Sequence, residues 1–160
     1  MRTSYRSLLL GLFGAVAILL PPKAAPALEI ISAENPDEIL NIAKGFGSAI
    51  LVESSSGKPL IRGRINGIPY LVFFFGCDDR GDSCDDIGFY ASWKKSTVSL
   101  SDINDWNYKN RFGTASLREN GNPVLDMQVN LQYGVTPENF EDVFVWWAVA
   151  LRSFNEHLDE

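Results

Sequence analysis

PLIRGRINGIPYLVFFF, residues 59–75, reads as two strands and the turn between them. Asn66-Gly67 is the strongest short hairpin signal available, because a tight type I′ turn needs positive φ at both central positions. PLIRGRI alternates, with Ile61 and Ile65 on one face and Arg62 and Arg64 on the other. That pattern suits a strand with one wet face. IPYLVFFF is apolar on both faces, which predicts a central strand with both sides covered.

The reading extends outward from this hairpin. SAILVE (48–53) precedes it across the turn SSGK, and DIGFYASW (86–93) follows, with Ile87, Phe89, Ala91 and Trp93 pointing one way. Upstream, NPDEILNIAKGFG (35–47) predicts a helix. Asn35 stands at the N-cap, Pro36 at the first helical position, and Asp37 and Glu38 at the positive end of the dipole. Ile39, Ile42, Ala43 and Phe46 form its apolar stripe, and Gly45 and Gly47 close it. A second helix starts near Ser99, where Ser99 and Asp102 make a short variant of a capping box and Val98 and Ile103 the accompanying staple. RFGTASL (111–117) and PVLDMQVNLQY (123–133) read as strands joined at Asn120-Gly121. In the latter, Leu125, Met127, Val129, Leu131 and Tyr133 share one face. A last helix begins at Thr136-Pro137-Glu138 and runs to about Leu158. The expected fold is an α+β domain with three helices on a mostly antiparallel sheet of five to six strands. The expected order is a helix, three or four strands, a helix, two strands and a helix.

Residues 1–27 stand apart. Arg2 and Arg6 precede a 13-residue apolar run from Leu8 to Leu20, and small residues at Ala25 and Ala27 follow. This is the layout of a secretory signal peptide with cleavage after Ala27, and the run is too short for a comfortable bilayer crossing. A periplasmic or secreted protein without a stable membrane anchor is expected. Residues 28–34 read as an exposed leader, and 35–160 as one domain. Cleavage would remove three basic residues and leave 11 against 20 acidic ones, a net −9. Such a surface disfavours phosphate backbones, so nucleic acid is not an expected partner.

Cys77 and Cys84 are the only cysteines. In an exported chain a lone pair favours a disulfide, and their spacing departs from the two-residue separation of redox couples. Between and beside them stand Asp78, Asp79, Asp82, Asp85 and Asp86. These lack EF-hand spacing, and Arg80 sits among them, so a solvated hairpin tip is expected and no metal or other cofactor is implied. Arg80-Gly81-Asp82 is too short to carry an adhesion role. The one histidine, His157, falls at the end of the last helix, where the dipole favours it. No nucleophile elbow, zinc-protease motif or phosphate-cradling loop is present, so no catalytic residues are assigned.

Two features point to binding. Ile103, Trp106, Asn107 and Asn110 fall on one helix face. The amides either clamp neighbouring backbone or, with Trp106 and Arg111, line a ligand groove suited to a small-molecule sensor. On the last helix, Phe140, Phe144, Trp147, Leu151, Phe154 and Leu158 form the core face, while Val145, Trp146 and Val149 lie opposite or lateral to it. Either another segment of the chain covers that second side, or a protein partner or second copy does.

The run INDWNYKNRFGTASLRENGNPVLDMQVNLQYGVTPENFEDVF (103–144) resembles the YbjN-domain family of bacterial sensory transduction regulators. Ile103-Asn104, Trp106-Asn107 and Arg111-Phe112-Gly113 match its motifs, followed by an acidic-glycine turn, a Leu-x-x-x-Val strand and an amphipathic helix. FFFGCDDRGDSCDDIGFYASW (73–93) is similar to the cysteine-bearing stretch of the family's secreted branch. The likeness covers most of residues 38–158. It implies a fold similar to that of type III secretion chaperones, small α+β domains that commonly dimerise and bind other proteins. It brings no catalytic residues. The expected function is that of an exported, non-catalytic protein-binding module, chaperone-like or regulatory.

Overall fold

Asn66 and Gly67 both take positive φ, 51° and 83°, and turn β2 (Pro59–Ile65) back onto β3 (Ile68–Phe75). The computed structural model describes residues 29–159 apart from 82 and 96. The expected signal peptide and Asp82 lie outside the described residues. Around the hairpin come α1 (Pro36–Phe46), β1 (Ser48–Glu53), β4 (Asp86–Ser92), α2 (Leu100–Lys109), β5 (Thr114–Leu117), β6 (Pro123–Asn130) and α3 (Pro137–His157). All strand pairings are antiparallel, in one six-stranded sheet of order β1-β2-β3-β4-β6-β5. This is the expected α+β fold with the expected order of elements.

Local signals set the helix starts. Ser99 Oγ accepts from the Asp102 N–H, and the Asp102 carboxylate accepts from the Ser99 N–H, closing the capping box. The Ser99 N–H and then the Ser99 hydroxyl, both donating to the Asp102 carboxylate, hold that carboxyl below its ordinary value. Thr136 Oγ1 accepts from the Asn139 N–H at the head of α3. Asn35 occupies its N-cap without a side-chain bond, leaving Pro36 to fix the start of α1.

All three helices contribute to a core on one face of the sheet. Phe140, Phe144, Trp147, Leu151 and Phe154 of α3 are wholly buried. Trp147 stacks on Phe89 at 5.1 Å and meets Tyr70 edge-on at 6.3 Å. Each such side chain contributes about 1.5–3 kcal/mol through burial. Gly63 is required here, since the Tyr70 ring lies across it from the facing strand. A Cβ on Gly63 would stand 2.3 Å from Tyr70 Cζ.

Four expectations need correction. β3 is not covered on both sides: Tyr70, Val72 and Phe74 are buried, but Phe75 is 43% exposed and Leu71 and Phe73 are half-buried. On that open face Phe73 packs on Phe75 and Tyr90, at 5.9 Å from the latter, and the rings shield one another in place of a helix. The leader is not exposed throughout. Ile31 and Ala33 are buried, because Ile31 exchanges both backbone hydrogen bonds with Val135 (2.8 and 2.9 Å) and is drawn into the core. β5 begins at Thr114 and not at Arg111, because Gly113 turns with φ of 80°. Tyr133 leaves the inner face: β6 ends at Asn130, and Tyr133 sits in the following turn with φ of 70°, almost fully exposed.

Candidate functional site

Trp106 and Asn107 stand close together on α2, but their polar atoms are already used. Trp106 is buried, its Nε1 donates to Ser153 Oγ (3.3 Å), and Ser153 donates on to Asn110 Oδ1 (3.2 Å). Asn110 Nδ2 returns to the Trp106 carbonyl at 2.8 Å. The Trp106 ring meets Phe154 edge-on at 5.0 Å, so this chain of bonds ties α2 to α3. Asn107 accepts from the Ala115 N–H (2.8 Å) and donates to the Ala115 carbonyl (3.0 Å). Arg111 is exposed, its guanidinium 5.4 Å from the Phe112 ring centre. Trp106, Asn107 and Asn110 thus form a clamp holding α2 on β5 and α3, and Arg111 stands outside it.

Cys77 and Cys84 are joined in a disulfide, with Cys84 buried. Asp78 pairs with Arg80 at 3.1 Å near the surface of the loop they span. Among the described residues no three His, Cys, Asp or Glu side chains gather as a metal site. His157 Nε2 lies 2.9 Å from the Asp102 carbonyl, fixing the end of α3 against the start of α2.

The outer side of α3 is different. Val145, Trp146 and Val149 are exposed, Trp146 by 39%. The Trp146 indole donates to Asp142 Oδ2 (3.1 Å) and stacks on Phe112 at 4.5 Å. Below this pair runs a groove of about 390 Å³. Met127 and Val129 lie along its β6 side, Asn139, Asp142, Val143 and Trp146 along α3, and Phe112 at its rim.

The β6 side of that groove carries unused main-chain groups. In an antiparallel pair the N–H and C=O of one residue point to the same side, and the side alternates along the strand. Trp93 donates to the Pro123 carbonyl and Leu131 to the Asp85 carbonyl, so odd-numbered residues of β6 face β4. Arg118 donates to the Asn122 carbonyl, so even-numbered ones face β5. Pairing with β5 stops at Thr114 opposite Asp126. The main-chain groups of Gln128 and Asn130 therefore point along an edge that no strand among the described residues pairs.

A match to the family model described as "YbjN: Putative bacterial sensory transduction regulator" spans residues 35–160. The chain belongs to the YbjN family. No curated protein matches it. The YbjN match takes in every helix and strand of the fold, from α1 to α3. Both the α2 clamp and the β6 groove are therefore part of the YbjN domain. The groove escapes a reading by periodicity, because it depends on β5 having four residues where β6 has eight.

Proposed function

We propose that this YbjN protein is a non-catalytic protein-binding module, chaperone-like or regulatory, that takes up an extended segment of its partner beside β6. The observation that supports this reading is the unpaired edge at Gln128 and Asn130, lying along an apolar groove under Trp146. Strand addition at an open edge supplies main-chain hydrogen bonds, and pockets for alternate side chains supply selectivity. The lane left by the short β5 accommodates about four residues, or about 13 Å of extended chain. An apolar side chain fits between Met127, Val129 and Val143. A basic one suits Asp142, the only charged residue lining the groove.

The protein acts outside the cytoplasm, in the periplasm or after secretion, once residues 1–27 are removed. The n-region arginines, the apolar run from Leu8 to Leu20 and the paired cysteines support that placement. The test is a photo-crosslinking residue at Asn139, exposed on the α3 side of the groove, in cells, with Gln128→Pro and Trp146→Glu as companions. Proline at 128 removes an N–H that points away from β4 and serves no strand. A defined adduct that both companions weaken at least about tenfold, with thermal midpoints held, is expected. An adduct indifferent to Gln128→Pro would refute capture at the β6 edge.

A further inference from the structure

The face of the sheet opposite the helices has an ordered pattern of its own. One row crosses all six strands through cross-strand partners: Ile50, Arg62, Leu71, Tyr90, Asp126 and Thr114. Its centre is apolar. Its flanks carry opposite charges, Arg62 on β2 and Asp126 on β6. Arg64 stands in the next row, also on β2, and Asp86 two rows away on β4. Among strand residues pointing to this face the charges balance, two arginines against two aspartates, on a chain whose net charge is −6. Arg118 reaches across from the β5–β6 turn and lies over the Tyr90 ring at 5.2 Å, engaged within its own chain. Ile50 is 58% exposed and Phe75 43%, large apolar residues without cover on this side.

We propose that a second copy of this chain covers the open face, related by a twofold axis parallel to the strands between β3 and β4. The strand order puts that axis at the middle of the sheet. Rotation about it lays Arg62 of one copy over Asp126 of the other, twice per dimer. Leu71 then lies over Tyr90 with its covering Arg118, and Phe73 over the Phe75 and Gln128 side chains that close in above Gly88. A twofold axis across the strands would instead keep each arginine strand over its own counterpart and match no charges. Face-to-face sheets pack about 10 Å apart and within about 30° of parallel, which long arginine side chains span. The face measures about 30 by 20 Å from strand spacing and rise. That footprint of about 600 Å², corrugated by side chains, approaches the roughly 800 Å² per partner of a standard interface. A generally acidic chain tolerates a second copy best where its own charges are balanced.

The test is charge reversal with rescue, read by sedimentation equilibrium of the purified protein. The wild type is expected as a dimer at micromolar concentration. Arg62→Asp and Asp126→Arg should each raise the dimer Kd at least about tenfold, by two repulsive pairs per dimer. The doubly reversed Arg62→Asp/Asp126→Arg chain should return to within about threefold of wild type. A second measurement stands apart from folding effects at Asp126. Ile50→Cys and Thr114→Cys in one chain should crosslink between copies with a short bismaleimide, and neither alone should. A monomeric wild type, a dimer indifferent to both single reversals, or a double variant as weak as the singles would each overturn the proposal. The β6 groove opens beside α3, so failure of this dimer and failure of peptide capture are separate results.

Discussion

Asn107 is the residue whose substitution separates a clamp from a ligand site. Thr114 and Ser116 pair with Asp126 and Val124, so the N–H and C=O of Ala115 point away from β6, to the sheet's outer edge. Asn107 meets both, acting as a one-residue substitute for a seventh strand. Asn107→Ala deletes both bonds beside a buried residue. At about 1 kcal/mol net per bond, plus part of the desolvation cost of two stranded groups, the loss should be about 2–3 kcal/mol. Asn107→Asp keeps the acceptor for the Ala115 N–H but sets a carboxylate oxygen against the Ala115 carbonyl. That repulsion raises the introduced carboxyl's folded pKa above its unfolded value. The deficit relative to wild type should therefore be smallest at acid pH, where the protonated group can donate, and should grow as pH rises through the folded pKa. Urea unfolding at pH 4 and pH 7, with hydrogen exchange at Ala115, measures both effects in ligand-free protein. An Asn107→Ala chain within about 0.5 kcal/mol of wild type would sink the clamp. A pH-independent Asn107→Asp deficit would sink its assigned geometry.

Gly63→Ala forces a methyl into the Tyr70 ring, which Trp147 and Phe89 prevent from retreating. It should cost about 2–3 kcal/mol by chemical denaturation, and much less in a Tyr70→Ala background, since the clash is pairwise. Burial pushes the Tyr70 hydroxyl up to about 12 from 10.0. Because the folded pKa is the higher, its contribution is present below pH 10 and lost as pH rises toward 12. Tyr70→Phe should remove that part of the alkaline slope in thermal melts. Replacing Cys77 and Cys84 together by serine frees an eight-residue loop and should cost about 2–3 kcal/mol, with reductant producing the same shift in the wild type. Equal stability with and without the bond would contradict the strap reading.

Much of the fold was legible because its signals are local. Pro36, Ser99 with Asp102, and Thr136 with Pro137 mark the three helix starts, and Asn66-Gly67 marks the central hairpin. The α3 core face was readable by helical period, since Phe140, Phe144, Trp147, Leu151 and Phe154 recur every three or four residues and all are buried. The failures are tertiary. Ile31 is buried by pairing with Val135, over a hundred residues away, which no window along the chain contains. Asn107 and Asn110 could be placed on the inner face of α2, but choosing between a clamp and a groove required Ala115 and Ser153 in space.

The apolar run of β3 carries the most instructive error. Eight nearly continuous apolar residues ordinarily mean a strand covered on both faces. Here the helices occupy one face, and the other keeps Leu71, Phe73 and Phe75 without one. An exposed apolar surface of this kind is normally a contact surface. On the proposed dimer, the rule that β3 needs two covers would be met by two chains where one chain leaves it unmet. α3 supplies the first cover. In the dimer proposed above, the second cover is a twofold copy of this sheet, which carries the charge pattern of Arg62 and Asp126 in reverse order.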